Sequence, residues 1–133
     1  MKLYKEIPEN KVLETVFKIL SNTRSSLVVS KLEDEKDNVR PDEEYFRLLQ
    51  KLLENGVSVT RYYFGSQQGF EREKRDNPDV KNIYGGEKES YQRLIVSDEK
   101  QSMSKIGNQF VYSEHPLWIT MLKGCLQKER VSE

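Results

Sequence analysis

In the stretch Tyr91-Gln92-Arg93-Leu94-Ile95-Val96-Ser97-Asp98 a phenol, a guanidinium and a carboxylate punctuate an apolar, β-branched run. Strand alternation puts Tyr91, Arg93, Ile95 and Ser97 on one face and Gln92, Leu94 and Val96 on the other. Asp98 then opens a turn with Glu99 and Lys100. A guanidinium stays charged and can grip phosphate with two parallel hydrogen bonds, so Tyr91, Arg93 and Asp98 together form a candidate anion-binding group. Tyr91 is a poor nucleophile by itself, because a phenol is ordinarily protonated at neutral pH.

A second group is Arg61-Tyr62-Tyr63-Phe64, a cation among aromatic rings on a strand-like segment. Stacking platforms for single-stranded nucleic acid use this composition, which makes Arg61 and Tyr62 candidate nucleic-acid contacts, although core packing claims at least two of the rings. His115 is the single histidine and precedes Pro116, the place of a polar cap or an exposed side chain at a helix start. Ser113, His115 and Asp98 lack the G-x-S-x-G context of a hydrolase triad. The run Glu-Arg-Glu-Lys-Arg-Asp at 71–76 alternates in sign as a solvated helix face does. Cys125 stands alone, so no intrachain disulfide and no cysteine-bound metal is expected. Its helical spacing from Met121 and Leu122 predicts a small core residue. No cofactor is indicated.

These groups need a scaffold, and 133 residues are enough for one domain, 1–133, with one core. Apolar residues make up 35% of the chain and charged residues 33%, so the apolar clusters are committed to the core. Lys plus Arg equals Asp plus Glu at 22 each, which removes the broad positive field of a non-specific nucleic-acid binder and leaves room only for a local basic patch. Residues 1–21 lack the apolar run of a signal peptide, and no stretch approaches the roughly 20 apolar residues of a membrane span. A cytoplasmic protein without a membrane partner is the expectation.

The periodicities alternate between helix and strand, which predicts an α/β fold with a mixed β-sheet flanked by helices. Helices are expected near 9–21, 41–54 and 116–128. The second is the clearest, with Tyr45, Phe46, Leu48, Leu49, Leu52 and Leu53 at helical spacing and a left-handed stop at Asn55-Gly56. In the last helix Leu117, Trp118, Met121, Leu122, Cys125 and Leu126 are expected inward. Strands are expected at 2–7 on an edge, at 25–31 in the centre, and at 57–64, 80–84, 91–97, 101–106 and 109–112. Residues 32–40 read as a solvated loop, and 65–79 as a mobile loop anchored by Phe70 and containing at most a short helix. The strands at 25–31 and 57–64 enclose the second helix in a β-α-β unit and should pair in parallel.

The pattern Y-x-R-x-x-x-x-D at Tyr91, Arg93 and Asp98 resembles the H-x-K-x-x-x-x-D signature of the phospholipase D superfamily, with Asp98 the matching position. The order of elements over about 25–126 also resembles that superfamily: a β-α-β unit, a motif strand, a hairpin and a closing helix. In active members the histidine attacks phosphorus, the lysine binds phosphate and the aspartate supports the site. With Tyr91 in the histidine position, the resemblance implies a non-catalytic phospholipase D-like domain acting as a regulatory, ligand-sensing or scaffolding module. The alternatives are a phosphodiesterase or nuclease whose nucleophile has moved to Tyr91 or His115, and a nucleic-acid-binding domain. Active members bring two motifs together, so the single motif here implies a homodimer with Tyr91, Arg93 and Ser97 near the two-fold axis. A phosphate-containing ligand would lie between the two Arg93 side chains.

Overall fold

A computed structural model describes residues 3–33 and 43–131. Seven strands form one mixed sheet: β1 (Lys5–Ile7), β2 (Ser26–Leu32), β3 (Ser58–Phe64), β4 (Lys81–Gly86), β5 (Leu94–Ser97), β6 (Gln101–Ile106) and β7 (Gln109–Ser113). Their order across the sheet is β1-β7-β6-β5-β2-β3-β4. The β2, β3 and β4 strands run parallel, and β5, β6, β7 and β1 continue the sheet antiparallel from the other side of β2. Four helices complete the fold: α1 (Val12–Asn22), α2 (Glu43–Glu54), α3 (Gln67–Asp76) and α4 (Pro116–Val131). This is the α/β architecture, mixed sheet and flanking helices included, that the alternating periods predict.

Two hydrophobic clusters separate the faces of the sheet. Val16, Ile19 and Leu20 of α1 and Leu49 and Leu52 of α2 pack on Leu27, Val29, Val59 and Met103. On the opposite face, Ile119, Leu122 and Leu126 of α4 cover Tyr62, Phe64, Leu94 and Val96. The β2 strand lies under helices on both sides, which is why Leu27, Val28 and Val29 form an unbroken apolar run.

Local signals set the helix boundaries. The α2 helix ends in a Schellman arrangement, where Val57 N–H donates to Leu52 O and Gly56 N–H to Leu53 O. Gly56 sits at φ +85°, a conformation that glycine adopts without steric cost. A 3-10 turn at Glu9–Lys11 precedes α1, so the predicted start at 9 is three residues early for the α-helix itself. Residues 65–79, expected as a loop with at most a short helix, contain the ten-residue α3. Ser66 caps it by accepting from Gly69 N–H, and Phe70 packs against Tyr63 and Tyr84. Charged side chains dilute the apolar period of α3, so it is legible mainly through its cap. The loop expected at 32–40 lies, from residue 34 onward, outside the described residues.

Two further expectations are corrected. Cys125 is exposed, as are Leu117 and Met121. The helix turns Trp118, Ile119, Leu122 and Leu126 toward the sheet and leaves the 117, 121, 125 ridge outside. Among the described residues no helix is long and apolar enough to cross a membrane.

Candidate anion-binding site

The regular part of β5 is only Leu94–Ser97, so Tyr91 and Arg93 precede the strand and do not alternate with it. Tyr91 ends a 3-10 turn at Lys88–Ser90, and its ring meets Phe64 edge-on at 5.6 Å, within the cluster beneath α4. Arg93 goes to the opposite face, where its guanidinium lies 5.6 Å from the centre of the Phe110 ring. Asp98 is at the far end of β5, five residues from Arg93, or roughly 16 Å along an extended chain. The structure therefore does not bring Tyr91, Arg93 and Asp98 together.

Asp98 has a different task. Its carboxylate accepts from the backbone N–H groups of Arg24, Ser25 and Ser26 at 2.9, 2.7 and 2.9 Å, and from the Ser25 hydroxyl at 3.0 Å. Burial alone would push this carboxyl up, but the three N–H donors outweigh it and hold it down at about 2. Asp98 thus fastens the start of β2 to the end of β5. Ser97 is fully buried beneath α1 and shares a 2.8 Å hydrogen bond with Thr23. With Tyr91 on the other face and Ser97 inside, the three residues expected at a two-fold contact do not form a surface patch.

Arg61 and Tyr62 are interior. Tyr62 is 6% exposed and belongs to the cluster under α4. Arg61 is 8% exposed and donates to Glu73 of α3 at 2.5 Å, while Lys31 donates to the other Glu73 oxygen at 3.1 Å. Neither candidate contact can reach a nucleic acid from these positions. Glu73, inside the run read as a solvated face, is the buried exception that ties α3 to β2 and β3.

A different cationic group follows from the sheet register. Lys105 pairs with Phe110, and Lys105 N–H donates to Arg93 O. Val29 pairs with Ile95 and Ile95 with Met103, and Lys31 of β2 and Lys105 of β6 lie two residues beyond Val29 and Met103 on the same face, while the β2–β5 ladder ends before Arg93. Lys31 pairs with Tyr63, and Tyr63 with Tyr84. Opposite residues of neighbouring strands share a face, so Phe110 and Lys105 on one side and Lys31, Tyr63 and Tyr84 on the other lie on one face, with Arg93 reaching the same face over the Phe110 ring. Three cations thus share one face of the sheet, Lys105 on β6, Arg93 just before β5 and Lys31 on β2, the last already paired with Glu73. Lys105 also approaches the Phe110 ring, at 5.4 Å. Arg93 is the one cation of this group singled out in the sequence. Lys105 was recoverable from it, because the three-residue turn at 98–100 pairs Ser97 with Gln101 and hence 93 with 105.

Near the same end of β2, the Glu33 carboxylate accepts from Ser66 N–H at 2.8 Å and from the Ser66 hydroxyl at 2.9 Å. These bonds hold its pKa below the ordinary carboxylate value and seat a negative charge at the start of α3. His115 is a cap, with Nδ1 accepting from Leu117 N–H at 3.1 Å. Among the described residues no group of three or more His, Cys, Asp or Glu side chains could hold a metal ion.

No protein-family model matches the sequence, and no curated protein matches it. Among solved structures the fold is similar to that of TrmBL2, described as an archaeal chromatin protein that shows a novel mode of DNA binding. The likeness has a TM-score of 0.63 at 10% sequence identity, covering 97% of this chain and 50% of that one, so the chain spans about half the length of that protein. At that identity, what the two share is the fold.

Proposed function

We propose that this domain is a non-catalytic binding module that holds nucleic acid by its phosphate backbone on the group formed by Lys31, Arg93 and Lys105. The observation that carries the reading is the placement of Arg93 and Lys105 together over the Phe110 ring, on the sheet face that also carries Lys31, in a chain of zero net charge. The fold shared with a DNA-binding chromatin protein supports it. Phosphate contacts of this kind position a partner without reading its sequence. A degenerate phospholipase D-like origin belongs to the same proposal and is supported by the order of elements. Tyr91 in the place of the motif histidine, with no imidazole to attack phosphorus, supports the absence of turnover.

Fluorescence anisotropy of a labelled DNA duplex across a salt series tests this reading. With Lys31 held by Glu73, two phosphate contacts from Arg93 and Lys105 give a slope of log affinity against log salt of about −1.8, at about 0.9 per contact. Arg93→Ala or Lys105→Ala should each flatten the slope by about 0.9 and weaken binding alike on unrelated sequences. Absence of binding at low salt, or variants that bind as the wild type does, would overturn the proposal.

A further inference from the structure

A cavity of about 350 Å³ opens between α1 and the β1–β7 edge of the sheet. This is within the roughly 300 to 1,000 Å³ of small-molecule sites. Lys5 of β1 and Lys18 of α1 line it from separate elements, and Asn22, Gln101, Tyr112 and Glu114 supply further polar groups. The Tyr112 hydroxyl donates to Glu114 at 2.7 Å and leans on Gln101 Oε1 at 3.3 Å, so its single proton is committed and its oxygen is left as an acceptor. Glu114 thereby fixes the polarity of the phenol. Burial and this carboxylate together push the Tyr112 hydroxyl up to about 12, which keeps it protonated.

Among the described residues, no hydrogen bond or ion pair engages the Lys18 ammonium, the Asn22 amide or the Gln101 amide nitrogen. The Lys5 ammonium meets only the Tyr112 ring, at 5.9 Å. Two ammonium groups against one carboxylate leave the cavity one positive charge in excess. We infer that this cavity binds a small hydroxylated monoanion, its carboxylate held between Lys5 and Lys18 and its hydroxyl groups exchanging hydrogen bonds with Asn22, Gln101 and the Tyr112 oxygen. A carboxylate suits two separate point charges, and the mixed donors and acceptors along the walls suit hydroxyls, which are both. The site is distinct in residues from the Lys31, Arg93, Lys105 group and stands independently of it.

Glycerate is the probe, with glycerol and inorganic phosphate as comparisons, read by two-dimensional NMR of the whole chain. Glycerate should shift the backbone resonances of Lys18, Asn22, Gln101 and Tyr112 saturably, with glycerol giving no saturable shift. Lys18→Gln should weaken glycerate about tenfold, as expected for loss of one charge-assisted hydrogen bond, while Lys105→Ala leaves it unchanged. Phosphate matching glycerate in both proteins would show that the hydroxyl part of the inference is wrong. Shifts absent with glycerate, or unchanged by Lys18→Gln in a variant with a native spectrum, would overturn the site.

Discussion

Replacing Asp98 by Asn removes a charge while keeping a side chain that tolerates the left-handed conformation, φ 53°, found there. The Asp98 carboxyl titrates at about 2 in the folded protein against an ordinary 3.8. At about 1.4 kcal/mol per pH unit this sets a ceiling of about 2.5 kcal/mol for the charge-dependent stabilisation. Asp98 is partly open to solvent, and screening brings the expected loss at neutral pH to about 1 to 2 kcal/mol. The sign follows from the lowered value. The stabilisation is complete above the ordinary aspartate range and is lost as the pH falls toward about 2, with nearly half gone near pH 3. Urea unfolding of wild type and Asp98→Asn, at neutral pH and at about pH 3, measures the difference. The gap between the two proteins should narrow on acidification. A gap of equal size at both pH values would show that Asp98 acts through shape and not through charge.

Glu73→Gln should cost about 3 kcal/mol by urea unfolding, because it leaves Arg61 buried with its charge uncompensated, and a double change to Arg61→Met with Glu73→Leu should recover most of that. Leu49→Ala and Trp118→Ala should each lose about 2 to 5 kcal/mol, and unchanged denaturant midpoints would contradict the packing of α2 and α4 described above. Gly69→Ala should destabilise by about 1 to 3 kcal/mol, since a Cβ there meets the Tyr63 hydroxyl and the Glu33 carboxylate. Gly56→Ala meets nothing within 4 Å and should cost only the about 1 kcal/mol of its left-handed backbone, so a larger effect at 56 than at 69 would refute the contrast.

The sheet was largely legible because its strands follow simple alternation or an unbroken apolar run. Gln101–Ile106 is recovered to the residue, and the parallel pairing of β2 with β3 follows from the β-α-β crossover through α2. Alternation fails at Tyr91 because the backbone there is still leaving a 3-10 turn, and one irregular step moves a side chain to the opposite face. That step separated the expected motif residues. Arg61 and Tyr62 were misplaced for another reason: a charged residue in a strand looks exposed until its partner is known, and Glu73 lies in the next helix. The outward turn of Cys125 was hidden because α4 is apolar nearly all round, leaving no stripe to choose between.

The three residues of β1 have a consequence for how this protein behaves when damaged. Lys5, Glu6 and Ile7 occupy the hydrogen-bonding edge of β7 opposite Tyr112, Val111 and Phe110, and Tyr4 lies 4.6 Å from the Trp118 ring. A protease that clipped the chain after Ile7 would leave the five-residue Gln109–Ser113 strand with a bare edge, rich in aromatic and β-branched side chains. Such an edge is a template for another copy of itself. Clipping would therefore open a route to self-association that the charged side chains of Lys5 and Glu6 on the native edge oppose.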